Sequence, residues 1–346
     1  MIKMTSLITG GSGFFGTNLA KKLLEKCEEV IIYDLVEPSE EIANKVEFIR
    51  GDILDRKKMK ESLKNVDFVY HTAALVPLSK AGKKFMIVNA EGTRSVVEAA
   101  LDKGVKKFVH ISSSAVYAID KMPITEESPV RPFTQYGKAK YAAELVVMEY
   151  MNKGLDAVII RPRTIVDENR AGIFQILFDW VYEGRTIYVV GDGNNLFQLI
   201  SASDLSEACY LAAKTKKSSG KIINIGNEEY GTINDLILYL ISYAKSRSRI
   251  KHINAFFAVN LLRILDILDL SPLADWHYLT LDKPFYFDIS LAKKLLNWKP
   301  KDSNNEMIRR SYDWYVANKH EVDAKKGTTH RTSPKQKILG LLKLIS

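Results

Sequence analysis

A short apolar run, Met4–Thr9, passes through Thr9-Gly10-Gly11-Ser12-Gly13-Phe14-Phe15-Gly16 into a segment with helical spacing at Phe15, Leu19, Leu23 and Leu24. This strand–glycine–helix passage restricts the fold more than any other feature of the chain. Glycines so placed let the chain turn sharply, let its backbone approach a pyrophosphate, and let the helix pack on the strand. The N–H groups and dipole at the helix start then favour an anion. Alone, the pattern fits an ordinary glycine-rich turn equally well, so its neighbours decide. Val30-Ile31-Ile32-Tyr33-Asp34 is a second apolar run and ends in an acid 18 residues after Gly16. An acid there accepts hydrogen bonds from the ribose hydroxyls of a bound dinucleotide and repels a 2′-phosphate. Asp34, followed by Leu35, therefore points to NAD rather than NADP. Gly51-Asp52-Ile53 closes a third run where an adenine is within reach, although Asp52 reads nearly as well as a turn residue.

The runs Val46–Arg50, Phe68–His71, Phe108–Ile111 and Ala157–Ile160 are apolar without alternation, and helical stretches at Phe85–Lys103 and Tyr136–Lys153 lie between them. Such runs belong in a parallel sheet covered on both faces. The predicted fold class is α/β, a doubly wound (Rossmann) parallel sheet. After Arg161 the rhythm loosens. Helices are predicted near Ile173–Tyr182, Leu205–Lys214, Ile233–Ala244, Ala255–Leu268, Leu291–Leu295 and Glu306–Asn318, with strands at Ile187–Val190 and Ile222–Ile225. That half reads as a smaller, mostly helical C-terminal substrate lobe that still returns elements to the sheet. The expected division is 1–163, mainly nucleotide-binding; 164–323, mainly substrate lobe; and 324–346, a basic amphipathic tail.

Composition removes several classes. Of 346 residues, 46% are hydrophobic and 26% charged, which excludes disorder of the whole chain. Two cysteines, Cys27 and Cys209, build no disulfide framework and suit a reducing, cytoplasmic setting. The six histidines are scattered, so no metal site is expected. Met1–Thr9 shows no charged-then-apolar leader, and no run reaches the ~18 apolar residues of a spanning helix. The formal charge of +9 is uneven: residues 325–346 carry six basic groups and no acid, leaving +3 for the rest. A nucleic-acid partner is therefore not expected. In the tail, Ile338, Leu341, Leu342 and Ile345 form a helical stripe with Lys335, Lys337 and Lys343 around it. Over 335–346 this reads as weak contact with a membrane surface, against the competing reading of a docked or mobile tail.

The chemistry-bearing residues lie in the first half. Tyr136-Gly137-Lys138-Ala139-Lys140 opens a predicted helix, and the i, i+4 spacing puts Tyr136 and Lys140 on one face. An ammonium beside a phenol is expected to lower the phenol's pKa toward neutrality, so that it exchanges a proton with a substrate hydroxyl while a hydride moves. Ser112-Ser113-Ser114 ends the fifth strand, at the edge where α/β sheets bind ligands. A surface Tyr/Lys pair and a serine-capped loop are the plain alternatives.

Taken together, these residues make the chain resemble the extended short-chain dehydrogenase/reductase family, in its NAD-dependent epimerase/dehydratase branch, over about residues 3–320. The resemblance rests on the glycine motif, Asp34, Gly51-Asp52, His71-Thr-Ala-Ala74, Asn89-Ala-Glu-Gly-Thr93, Ser112-Ser-Ser-Ala-Val-Tyr117, Tyr136-Gly-Lys-Ala-Lys140, Arg161-Pro162 and Gly191-Asp-Gly193. It implies Tyr136 as general acid/base, Lys140 on the nicotinamide ribose, and Ser113, with Ser114 as fallback, on the substrate oxygen. It implies an NAD site made by Gly10, Gly13, Phe14, Phe15 and Gly16, by Asp34, Asp52 and Ile53, and by Ala73, Asn89 and Pro162 together with Tyr136 and Lys140. It also implies a homodimer through the helices at about 85–103 and 136–153.

The substrate half departs from the family's sugar-nucleotide pattern. Phe197 stands where relatives carry an arginine four residues after the Gly-Asp-Gly turn, and Tyr278-Leu-Thr-Leu281 replaces an Arg-Pro-Gly-Asp stretch. The nearest cations there are His277 and Lys283; Arg163 and Arg170 follow the sixth strand, Arg163 reading as a loop salt bridge. An arginine clamp is the natural partner of a diphosphate. Phe174, Leu177, Phe178, Trp180, Phe256, Phe257, Leu262, Ile264, Leu265 and Trp276 read mostly as core. The leading expectation is an epimerase or dehydratase of a small-molecule sugar or sugar nucleotide, working through a transient ketone. An NAD-dependent dehydrogenase or ketoreductase of a bulky apolar alcohol, similar to the 3β-hydroxysteroid dehydrogenase branch, is the second. A non-catalytic NAD-sensing or scaffold protein is the third.

Overall fold

The apolar runs pair side by side, as their lack of alternation requires. The computed structural model describes residues 3–170, 172–271, 273–324 and 343. The first half carries strands β1 (Thr5–Thr9), β2 (Glu29–Asp34), β3 (Glu47–Arg50), β4 (Phe68–His71), β5 (Lys107–Ile111) and β6 (Ala157–Pro162). Helices α1 (Phe14–Glu25), α2 (Glu40–Ala43), α3 (Arg56–Ser62), α4 (Gly92–Lys103) and α5 (Gln135–Asn152) alternate with them. Next come β7 (Thr164–Val166), α6 (Phe174–Tyr182), β8 (Ile187–Val190), β9 (Leu196–Phe197), β10 (Leu199–Ser201) and α7 (Ala202–Lys214). They are followed by β11 (Ile222–Ile225), β12 (Gly231–Thr232), α8 (Ile233–Tyr243), β13 (Ile250–Ile253) and α9 (Ala255–Ile267). The last helices are α10 (Asp275–Thr280), α11 (Ser290–Leu296), α12 (Asn304–Ala317) and α13 (Lys319–Ala324).

Seven strands form the central sheet in the order β11-β6-β5-β4-β1-β2-β3, and every neighbouring pair is parallel. The direction of winding reverses between β1 and β4, which opens a crevice at the carboxyl ends of these strands. Consecutive residues of a strand serve opposite faces. Ile8 joins the core containing Leu19, Ile32, Val109 and Leu205, whereas Leu7 joins the one containing Ile31, Val69, Val96 and Val147. A third core, with Phe178, Trp180, Leu240, Met307 and Tyr312, organises the second half. The pairs β7–β10 and β8–β13 are parallel, and β9–β12 is antiparallel.

Two elements differ from the predicted ones for local reasons. The single helix predicted over Phe85–Lys103 is a π-helical turn, Met86–Glu91, that runs into α4. Gly92 at the junction lets α4 press against Ile53, whose Cδ1 lies 2.5 Å from where a Cβ on Gly92 would sit. Helix α9 was expected to be core, yet Phe256 and Phe257 are each 72% exposed and Ile264 and Ile267 are also exposed. Its other side, with Ala258, Leu262 and Leu265, faces inward. Of the tail, residues 335–346 lie outside the described residues except Lys343. That ammonium lies 2.5 Å from Asp179 Oδ2 and 2.6 Å from Glu183 Oε1, at the end of α6. Among the described residues no helix is long and apolar enough to cross a membrane, and no cluster of His, Cys, Asp or Glu could hold a metal ion.

Candidate active site

The crevice deepens into a cavity of about 1220 Å³ that runs from the glycine turn to α9 and α10. At its nucleotide end the fit is steric. Gly10 has φ +72°, and a Cβ there would lie 2.7 Å from the Cα of Ala73. A Cβ on Gly16 would lie 2.3 Å from Gly10 O, so α1 packs against the turn only with glycine at that position. Gly13 caps α1 and offers no side chain to its amides, which suits an anionic ligand at the helix start. At the end of β2, Asp34 Oδ2 accepts from Ser12 N at 3.0 Å and Oδ1 from Val36 N at 3.1 Å. Each carboxylate oxygen accepts more than one hydrogen bond, so Asp34 keeps capacity for ribose hydroxyls on the cavity wall. Phe14, Phe15, Asp52, Ile53, Ala73 and Pro162 line the same cavity. Asn89 does not. Its Oδ1 accepts from Leu75 N at 2.7 Å and its Nδ2 donates to Leu75 O at 3.1 Å, which clamps the loop after β4 beside the cavity. These groups fit a dinucleotide.

At the chemical end, α5 is started by Thr134, whose hydroxyl accepts from Gly137 N at 3.0 Å. Gly137 is required here: a Cβ would lie 2.3 Å from Ala115 O, so α5 approaches the loop after β5 closely. That approach brings Tyr136, Ser113 and Lys140 to one cavity wall. Tyr136 is half-buried, lines the cavity with Ser113, and is braced edge-on by Phe85 with ring centroids 5.9 Å apart. Lys140 is buried and donates to Ile111 O at 2.6 Å. Burial lowers its pKa to about 8, against the opposing pull of Glu144.

The phenol of Tyr136 departs from expectation. Its pKa is raised, because burial outweighs the lowering effects of Ser113 and the Arg170 guanidinium. Lys140 is directed at the Ile111 carbonyl, and the cation that acts on Tyr136 is Arg170, a residue to which spacing gave no role. Two further corrections concern the substrate residues. Lys283 does not line the cavity; it is half exposed and paired with Asp282 at 2.8 Å. Arg163 is no loop salt bridge. It is 2% exposed, lies 3.8 Å from the Phe285 ring centroid, and donates through Nη1 to Ser114 Oγ at 3.2 Å. Phe197 and Ser114 both line the cavity. His277 lines it too but is neutral, since burial pushes its pKa down to about 4.

Around that end the wall is apolar: Phe174, Leu177, Trp180, Leu262, Leu265 and Trp276 face the cavity. Of the large residues expected to be core, only Phe178 is fully enclosed at 0% exposure.

The NAD dependent epimerase/dehydratase family profile matches residues 6–226. An uncharacterised Sinorhizobium fredii protein, y4nG, is 41% identical over 343 residues, covering 99% of this chain and 86% of the relative. The mouse sterol-4-alpha-carboxylate 3-dehydrogenase (decarboxylating) is 27% identical, covering 88% of this chain and 89% of the relative. Among solved structures, UDP-glucuronic acid 4-epimerase from Bacillus cereus in complex with NAD aligns with a TM-score of 0.76 and 25% identity, over 91% of this chain and 99% of that one. The glycine cradle, the acid closing β2 and the matched profile agree: the chain belongs to the NAD-dependent epimerase/dehydratase family of extended short-chain dehydrogenases/reductases, and its cofactor is NAD.

Proposed function

We propose that this protein is an NAD-dependent dehydrogenase or ketoreductase acting on a secondary alcohol with a bulky, largely apolar body. The observation that carries this reading is the apolar wall around Tyr136, with Phe197 where a diphosphate clamp would stand. NAD supplies the hydride acceptor in oxidation. Ser113 holds the reacting oxygen, and Tyr136, ionised to the phenolate, takes that oxygen's proton in oxidation and returns it in reduction. Arg170 supports the developing phenolate, and Lys140, fixed on Ile111 O, holds its ammonium where a nicotinamide ribose is expected. Asp34 repels a 2′-phosphate.

Replacing Tyr136 by Phe removes the proton acceptor and leaves the cavity's shape. Turnover should fall about 10²- to 10⁴-fold, with NAD still bound, as read by calorimetry. Wild-type turnover in that variant would refute the role. The likeness to a UDP-glucuronic acid epimerase favours a second reading, a transient-ketone epimerase or dehydratase. Redox accounting separates the two. A dehydrogenase accumulates NADH in step with product, whereas an epimerase returns NAD unchanged after each cycle.

A further inference from the structure

Among the described residues, two buried arginines of the cavity have no acid paired with them. The fold supplies carboxylates to arginines that hold it together. Arg161, 1% exposed, is held by Glu144 at 2.8 Å and 2.5 Å, and Arg310 by Asp302 at 2.6 Å and 2.8 Å. Arg163, two residues from Arg161 and just as deeply buried, has Nε and Nη2 without an acceptor, and Arg170, 7% exposed, has Nε without one. Among the described residues neither forms a salt bridge. Burial lowers their pKa to about 9 and about 10, which leaves both cationic at neutral pH. An unpaired buried charge is costly, and such a group in a native structure calls for a partner.

The surroundings indicate which partner. Arg170 lies 5.8 Å from the Phe14 ring, at the start of α1, and beside Tyr136. Arg163 has different neighbours. It stacks on Phe285, with Phe287 at 5.7 Å and Phe197 at 5.9 Å, and among the described residues its guanidinium hydrogen-bonds only to Ser114, the residue after Ser113. Its planar fork therefore sits on the substrate side of the site, next to the serine that holds the reacting oxygen.

We propose that Arg163, with Ser114, receives a carboxylate of the substrate itself, one or two bonds from the carbon that gives up hydride. The substrate class is then a hydroxy acid: apolar in its body, with one anionic end beside the reacting alcohol. This rests on the hydride-transfer reading above and adds to it the second group that orients the substrate. Arg163 is a binding residue. Arg170 adds positive charge to the same end of the cavity.

The test uses the full chain saturated with NAD, with 3-hydroxydecanoate, 3-hydroxypalmitate and their methyl esters as probes. Calorimetry should show at least one acid binding about 10- to 100-fold more tightly than its ester, the worth of a hydrogen bond to a charged group. Arg163→Gln should abolish that preference and leave NAD affinity unchanged. Arg163→Lys, which keeps the charge but loses the fork, should restore part of it. Equal affinity for acid and ester in the wild type, or no binding of any acid, overturns the proposal without needing a variant. A preference that survives Arg163→Gln also overturns it, as does a variant whose only defect is weaker NAD binding, since Arg163 would then serve the cofactor phosphates. The two readings fail separately. An acid preference without NADH formation breaks the dehydrogenase reading and leaves the anion site. NADH formed equally from acid and ester breaks the anion site and leaves the dehydrogenase.

Discussion

His71 and His110 stand side by side on β4 and β5, stacked with ring centroids 5.5 Å apart and each 1% exposed. Thr93 Oγ1 donates to Asn89 O at 2.6 Å, so it accepts from His71 Nε2 at 2.9 Å, and His71 Nδ1 accepts from Thr9 Oγ1 at 2.7 Å. That arrangement fixes a neutral ring. Burial, with Lys140 nearby, lowers the pKa of His71 to about 3 and that of His110 well below its ordinary value. The unfolded chain takes up these protons near pH 6.5 and the folded chain does not, so stability is complete above that pH and is lost as pH falls toward the folded values. The slope should be about 1.4 kcal/mol per pH unit for each histidine. Urea midpoints measured from neutral pH down to about 5 check this. His110→Phe, which removes two unpartnered ring nitrogens, should flatten the slope, and an unchanged slope would exclude His110 as its source. At this scale the sequence was legible where one residue type serves one geometry. Gly10, Gly16 and Asp34 could be picked out because turn, close approach and acid each demand a specific side chain. Arg163 and Arg170 could not, because a guanidinium reads alike in a loop salt bridge and in a cavity until its surroundings are known.

Helix α5 carries Tyr136 and Lys140 at one end and Glu144 one turn further on. Glu144 is 0% exposed, receives the Ser112 hydroxyl, and clamps Arg161 of β6, whose guanidinium lies 4.6 Å from the Tyr117 ring centroid. This buried pair sets the position of the helix that presents the catalytic candidates to the sheet edge. Glu144→Ala leaves Arg161 buried and uncompensated, and should destabilise the fold by about 3–5 kcal/mol, measured by denaturant unfolding. Helices long enough to show a 3.6-residue period, such as α5, were visible in the chain. The π-helical turn at Met86–Glu91 was not, since one extra residue within a turn leaves the apolar spacing almost unchanged while aiming Asn89 at Leu75. Strands of two or three residues, such as β9 and β12, are too short to show alternation at all.

For the whole molecule, the parallel sheet was readable because strands buried on both faces are continuously apolar, but the order of the strands, with β11 beside β6, was not, since composition does not name a strand's neighbour. Whether the apolar residues of the second half fill a core or enclose a space was not readable, because both uses select the same side chains. Helix α9 shows the result. It is apolar toward the cavity through Leu262 and Leu265 and apolar toward the outside through Phe256, Phe257 and Ile264. An ordinary surface helix is held in rotation by the contrast between its wet and dry sides. Here that contrast is nearly absent, so turning the cylinder about its axis exchanges one oily surface for another. Its angular setting then depends on the acid it carries. Asp266 accepts from Lys80 Nζ at 2.5 Å and from Tyr278 Oη at 3.0 Å, joining α9 to the loop after β4 and to α10. Asp266→Asn should raise hydrogen exchange along α9 selectively while the global unfolding midpoint stays within about 0.5 kcal/mol of the wild type. A single carboxylate thus serves as the key that stops a shaft without flats from turning in its bearing.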